Sequence, residues 1–290
     1  MWLIFAFGSA FFSGLTSILA KCGIEKTDST VATAIRTIIV FFFSWLIAFL
    51  VGSQSTITDL SFKTWIFLIL SGMATGASWI CYFKALQIGD VNKVVPIDKS
   101  STILSMILAF IFLHETFTYI YGIAIILIAI GTYLMITKEK NIVLKNTQNK
   151  SWFIYAVLSA VFASLTSILG KIGIEGVESN LGTAIRTSVV LIMAWLIVIA
   201  TKKQSKVYSI SKRELLFISL SGVATGGAWL CYYKALQDGL ASVVVPIDKL
   251  SILVTIVFSY IVFKEKISKK SGFGLVLILL GTLLMVIPTL

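Results

Sequence analysis

Ten charged side chains interrupt the apolar stretches of this chain, and they form two sets 150 residues apart. The first set is Lys21, Arg36, Lys84, Asp98 and Lys99; the second is Lys171, Arg186, Lys234, Asp248 and Lys249. A charge at mid-bilayer costs about 2.5–3.5 kcal/mol or more unless it is paired or wetted. Two uses fit acids and bases so placed. An Asp98–cation latch closes one mouth while the Asp248 cluster opens the other, or the two acids carry protons. The plainer alternative is helix-end lysines that snorkel to headgroups and a structural Asp–Lys pair. Glu115 and Glu265 end apolar runs and are either partners for the other copy's cations or headgroup-level charges.

Polar side chains also fall in helical register. Ser9, Ser13 and Thr16 follow i, i+4, i+7, as do Thr75, Trp79, Tyr82 and Asp98, Thr102, Ser105; each trio shares a helix face. With the second-copy residues Thr166, Trp229 and Tyr232 they are candidates to line a polar binding place. Trp and Tyr offer broad contact area and a hydrogen-bonding tip. Hydroxyl and small residues are equally the ordinary glue between membrane helices. Gly72 and Gly76 of SGMATG, with Gly222 and Gly226, read better as close helix contact than as a ligand loop.

Other chemistries lack their residues. His114 is the single histidine, and the second copy places Lys264 there, so a Ser–His pair is not built. Cys22, Cys81 and Cys231 have no metal-ligand spacing, and no metal or cofactor is expected. There is no GxxxxGK[ST] phosphate loop, so energy for moving a solute would come from a gradient. Intramembrane hydrolysis, a lipid-carrier flippase and a channel are the competing functions.

The elements that must hold these residues are membrane helices. The chain has 290 residues, 58% hydrophobic and 13% charged, with mean hydropathy +0.98. A soluble surface cannot be covered by so few charges. The net charge of +11 reads as loop bias and anionic-lipid contact rather than nucleic-acid binding. Apolar runs near 2–21, 31–52, 65–88, 94–113, 119–136, 152–171, 181–201, 215–238, 244–263 and 271–288 are each long enough to cross. None alternates polar and apolar, so helices are expected.

The repeat is strong. TAIRT (33–37) returns at 183–187, SGMATGASWICYFKALQ (71–87) as SGVATGGAWLCYYKALQ (221–237), and VVPIDK (94–99) at 244–249. About two in five aligned positions are identical without a gap. The reading is an all-α integral membrane protein of ten transmembrane helices in two five-helix repeats, 1–137 and 151–290, joined by a basic linker, 138–150. An odd number of spans per copy makes the topology inverted, an arrangement of many secondary transporters. The repeats then expose a central site to each side in turn.

Loop charge sets the orientation. Linker 138–150, loop 202–214 and loop 264–270 are lysine-rich, whereas 53–64 and 114–118 are poor in cations. The positive-inside rule places the basic loops in the cytoplasm and both termini outside the plasma membrane. Pro96 and Pro246 open VPIDK as a tight interhelical turn or an irregular entry into the bilayer.

The five-span repeat, the lysine ending its first helix, the A-x-R near the start of its second and the Glu-containing turn before its fifth resemble the drug/metabolite transporter superfamily, in particular the EamA family of ten-span carriers. C-Y-[FY]-K-A-L-Q at 81–87 and 231–237, followed by V-x-P-I-D-K, looks like a bacterial and archaeal branch in which some members are single five-span units. The turn here departs from the family's Gly-Glu-Arg: it is His114-Glu115-Thr116 and Lys264-Glu265-Lys266. The resemblance implies a ten-helix fold, a cavity lined mainly by helices 1, 3, 4, 6, 8 and 9, and export or exchange of small metabolites. Cations outnumber acids in the paired set, which leans toward an anionic or zwitterionic solute such as an amino acid or organic acid. The expected partners are that solute, the bilayer and protons.

Overall fold

The computed structural model describes residues 1–23, 27–88, 94, 97–136, 151–263 and 269–289. The linker at 138–150, Pro96 and Glu265 lie outside these residues, as does the side chain of Lys21. Among the described residues there is no strand. The helices are α1 (Trp2–Gly23), α2 (Ser29–Val51), α3 (Phe62–Ile88), α4 (Ser101–Phe112), α5 (Tyr119–Ile136), α6 (Ser151–Gly173), α7 (Ser179–Ala200), α8 (Lys212–Asp238), α9 (Ala241–Lys249), α10 (Ser251–Phe263) and α11 (Lys269–Val286). The duplicated sequence thus folds into duplicated helices, with starts at 62 and 212, 101 and 251, and 119 and 269.

Local chemistry sets the boundaries. The Asp28 carboxylate caps α2 by accepting from the Thr30 N–H. Glu178 does the same for α7 through Asn180 and Leu181. Ser211 and Glu214 form a capping box at α8, satisfying donors the first turn would leave bare. Gly52 ends α2 in the left-handed region, φ 81°, a conformation that costs glycine little.

Packing is the inverse of a soluble protein. α2 buries Ala34, Ser44 and Ala48 and exposes Phe42, Phe49 and Leu50. Small residues let helices approach while large apolar ones face outward, which is stable only where the solvent is lipid. Eight helical segments among the described residues are long and apolar enough to cross a membrane, and Tyr119–Met135 is apolar but shorter. Of the expected run at 94–113, the described residues supply α4, Ser101–Phe112, with Val94 and 97–99 also helical; among the described residues the spans number eight against the expected ten.

The chain divides into two compact units, each drawing on both sequence halves. The first holds Met1–Gly76, Leu169–Gly239 and Ile247–Glu265. Within it α1 and α8 run antiparallel, Gly8 meeting Cys231 and Gly23 meeting Ile218. α2 runs parallel to α8, with Ile39 on Gly222 and Phe43 on Gly226. The first half of α3 runs parallel to α7 in the same way, Gly72 on Val189 and Gly76 on Met193. Glycine at these four positions does what the sequence suggests: it admits a neighbouring helix.

The second unit holds Ala77–Ile168, Leu240–Pro246 and Lys266–Leu290. Its α5 and α11 pack antiparallel and very close. A Cβ on Gly131 would stand 2.5 Å from the Gly274 carbonyl oxygen, and one on Gly281 2.9 Å from that of Ala124. Tyr82, Ile97, Trp152 and Tyr155 pack around buried Ala85, Val94 and Ala156.

The VPIDK segment of the second half is a broken helix. Pro246 sits inside α9, where it removes the donor to the preceding turn. The helix stops at Lys249 and resumes as α10 at Ser251. Asp248 thus lies at the break.

Candidate functional site

The break presents the Asp248 carboxylate to α1 within the first unit. Ser9 Oγ donates to its Oδ1 at 2.6 Å and Ser13 Oγ at 3.2 Å. Lys249 Nζ lies 3.7 Å from Oδ2. The aspartate is mostly buried, its side chain 17% exposed. Each hydroxyl donates its one hydrogen to the carboxylate, which can accept several.

The second unit repeats the arrangement with the halves exchanged. Ser159 Oγ donates to Asp98 Oδ1 at 2.7 Å. Ser159 is itself tied to Ser78, whose Oγ donates to the Ser159 carbonyl at 3.1 Å. Ser9 and Ser159 are repeat equivalents, as are Asp98 and Asp248. In each case the aspartate of one half is held by the first helix of the other. The copies differ in the second donor, because Ser13 has Ala163 as its counterpart.

Arg186 on α7 is the most deeply buried charge of the expected set, 2% exposed. Its Nε donates to Ser71 Oγ at 3.0 Å and its Nη2 to Thr75 Oγ1 at 2.6 Å. The guanidinium lies 4.8 Å from the ring centroids of both Trp229 and Tyr233, a cation–π seat. Its Nη1 is buried without a hydrogen-bond partner. Arg36, its counterpart, is half-buried and lines a cavity of ≈ 100 Å³ with Ser29, Thr33 and Ser221. Thr16 Oγ1 on α1 stands 3.3 Å from Thr225 Oγ1 on α8.

The other expected residues are placed as follows. Lys171 Nζ donates to the Leu236 carbonyl at 2.9 Å and to that of Gly239, so it caps the C-terminus of α8, where the helix dipole favours a cation. Lys234 pairs with Asp238 at 3.0 Å, one turn on. Glu115 caps α9, accepting from the Ala241 N–H at 2.7 Å and the Ser242 N–H at 3.0 Å. It thereby joins the two sequence halves through backbone amides. Lys84 and Lys99 are exposed, Trp79 and Thr166 half-buried. Thr166 donates to the Phe162 carbonyl at 3.0 Å. Tyr232 packs edge-on against Tyr233, centroids 5.3 Å apart.

The structure thus brings together Ser13 with Asp248, and Arg186 with Trp229. Ser9 and Thr75, from the expected polar stripes, complete these contacts together with Ser71 and Tyr233; Ser78 and Ser159, at Asp98, were, like Ser71 and Tyr233, not among the expected site residues. The signal that could have found several is recurrence: Ser9, Ser71 and Thr75 return as Ser159, Ser221 and Thr225. Among the described residues no cluster of three His, Cys, Asp or Glu could hold a metal.

Outside the spans, Asp28 joins two loops. Lys203 Nζ donates to it at 3.0 Å and Lys206 Nζ at 3.2 Å. Burial pushes the Asp28 carboxyl up, but the two lysines and the Thr30 N–H outweigh it and bring it down to about 2. On the other side of unit one, Lys63 stands 3.6 Å from Glu175, an exposed pair worth little on its own.

Comparison with known proteins agrees with this architecture. A relative in Sinorhizobium, an uncharacterized transporter in the cobO 3' region, is 40% identical over 139 residues, covering 48% of this chain and 99% of its own length. Uncharacterized protein MJ1333.1 of Methanocaldococcus jannaschii is 29% identical over 132 residues, 46% of this chain and 93% of its own. Each relative is therefore about as long as one copy of the repeat. A solved crystal structure superposes with TM-score 0.81 at 14% identity, covering 98% of this chain and 96% of that one; it shares the fold. The model of the EamA-like transporter family matches residues 1–137 and again 150–287. The chain belongs to the EamA-like transporter family.

Proposed function

We propose that this protein is a secondary transporter of a small polar metabolite, an amino acid or organic acid. It works by alternating access between two inverted five-helix halves, as an exchanger or with proton coupling through Asp98 and Asp248. The observation that carries the reading is the pair of aspartates, each hydrogen-bonded by the first helix of the opposite half. A bond of that kind in each half gives two like switches, and breaking one while making the other is a natural step in exchanging conformations.

Helix directions support the inversion. α8 is the repeat equivalent of α3, and α1 runs antiparallel to α8. One span, α2, lies between α1 and α3, so these two cross in the same direction and co-oriented copies would make α1 and α8 parallel. The bonds from Lys203 and Lys206 to Asp28 support a shared face for Asp28, at the start of α2, and loop 202–214. Ten spans would place both on one side, and their lysines favour the cytoplasm. The termini are then outside the plasma membrane. The name of the Sinorhizobium relative also favours transport over catalysis.

Counterflow in sealed proteoliposomes tests the function. Vesicles preloaded with an unlabelled amino or organic acid should accumulate the labelled one. Protection of a labelled lipid headgroup without solute exchange would replace this reading with a flippase, and large unitary currents would replace it with a channel.

A further inference from the structure

The two TAIRT strings place Arg36 and Arg186 at equivalent points of α2 and α7, yet their surroundings differ. Arg186 fills its seat on Ser71 and Thr75, stacked against Trp229 and Tyr233. The equivalent hydroxyls near Arg36 are Ser221 and Thr225. Thr225 donates to the Ser221 carbonyl at 2.7 Å as Thr75 does to that of Ser71 at 3.0 Å, but here the hydroxyls meet α1: Thr225 Oγ1 lies 3.3 Å from Thr16 Oγ1, and Ser221 Oγ reaches the Thr16 carbonyl at 3.4 Å. Beside Arg36 the seat is hollow: the ≈ 100 Å³ cavity is lined by Arg36, Ser29, Thr33 and Ser221, with alanine and isoleucine completing the wall. One repeated seat is therefore filled by its arginine, and the other leaves space beside it.

Neither guanidinium is paired with a carboxylate among the described residues. A membrane-buried cation without a counter-charge is costly, and the unpartnered Nη1 of Arg186 adds a bare donor. Arginine is always charged, and its planar fork matches carboxylate and phosphate oxygens. Ser29 and Thr33 lie on the first turns of α2, on the N-terminal side of Arg36. A volume of this size holds about three waters, or a carboxylate or phosphate with little else.

We propose that the Arg36 cavity binds an oxyanion, a carboxylate or phosphate group held by the guanidinium with Ser29, Thr33 and Ser221. The Arg186 seat is the same device in collapsed form, with Nη1 left over as the donor an anion would take. This deepens the transport reading by naming where the acid group of the solute is held. It rests on that reading for its purpose, but binding is measurable without transport.

The test is thermal melting of the purified full-length protein in detergent, with sodium acetate or sodium phosphate against sodium chloride at equal ionic strength. Ligand binding raises Tm with concentration. Acetate or phosphate should raise the wild-type Tm by several degrees. The shift should vanish in Arg36→Gln, weaken in Ser221→Ala and persist in Arg213→Gln, a change at an exposed site. If Arg36→Gln does not fold, Arg36→Lys carries the test: it keeps the charge, loses the fork and should weaken binding at least several-fold. Native mass spectrometry separates two sources of the oxyanion. A phosphatidylglycerol retained by wild type and lost from the Arg36 variant, with no shift from either salt, assigns the site to a lipid headgroup; a salt-induced shift assigns it to a soluble anion. An equal shift in the Arg36 variants, or neither a shift nor a retained lipid, overturns the proposal. Counterflow that proceeds without Arg36-dependent binding sinks the site alone, whereas Arg36-dependent binding without counterflow sinks the transport reading alone.

Discussion

Ser9 Oγ donates to Asp248 Oδ1 at 2.6 Å, joining α1 to the helix break 239 residues later. Its repeat counterpart joins Ser159 to Asp98 at 2.7 Å. Each mostly or partly buried carboxylate is thus anchored by a hydroxyl of the opposite half's first helix, and Asp248 also has Lys249 Nζ at 3.7 Å. The second hydroxyl on Asp248, from Ser13, makes that site the more strongly held of the two.

Removing the donor should therefore hurt the Asp248 site directly. Ser9→Ala leaves a buried carboxylate short of a partner, at about 1–3 kcal/mol. Asp248→Asn should cut exchange at least tenfold while the protein still folds. Melting of each single variant and the double Ser9→Ala, Asp248→Asn measures the coupling. Losses that simply add would show the hydrogen bond is not formed.

The α5–α11 contact should tolerate no side chain. At Gly131 a Cβ would meet the backbone oxygen of Gly274 at 2.5 Å, and a backbone cannot rotate away. Gly131→Leu should destabilise by about 1–3 kcal/mol or more, seen as a lowered Tm in detergent. Gly272→Ala, on the same α11 with nothing within 4 Å of its Cβ, should leave Tm almost unchanged.

Asp28 makes stability pH-dependent at the loop ends. Its folded carboxyl sits near 2 against an ordinary 3.8, so its contribution is complete above about pH 4 and fades as pH falls toward 2. With Lys206 more than half exposed, the contribution is roughly 1–2 kcal/mol. Asp28→Asn should lower Tm at pH 6, and the gap from wild type should narrow from pH 4 downward. A gap that stays constant to pH 3 would contradict the assignment.

Glu115 is a helix cap supplied from a distant loop. Glu115→Ala bares two N–H groups of α9 and should cost about 1–2 kcal/mol. Glu115→Gln keeps an acceptor but loses the charge on the helix dipole, so it should cost less. Hydrogen exchange at Ala241 and Ser242 should rise in the alanine variant. Equal protection in both variants would show the amides have other partners.

Much of this was legible from residue order alone. The 150-residue recurrence fixes which helices are copies, and spacing puts Ser9 and Ser13 on one face. It does not say which distant acid that face meets, because helix pairing is decided by packing. Asp248 was visible as a residue needing a reason; Ser9 as its donor was not. Arg186 stood out as a buried charge, but its seat comes from Ser71 and Thr75, which the SGMATG string presents chiefly as packing residues. Both readings hold: Gly72 and Gly76 admit α7, and the hydroxyls between them hold its arginine. Lys171 and Glu115 looked like members of a charge network. Both bind backbone groups at helix ends, a role that depends on where another helix terminates.

Single-cysteine labelling at Lys63 and Arg213 tests the inverted halves most directly, in a background lacking Cys22, Cys81 and Cys231. These two positions are repeat equivalents, each beside the start of its helix and each exposed. A membrane-impermeant maleimide applied to intact cells should label Lys63→Cys from outside and reach Arg213→Cys only after lysis. Labelling of both from the same side would mean the two copies point the same way, and alternating access between opposed halves would fall with it.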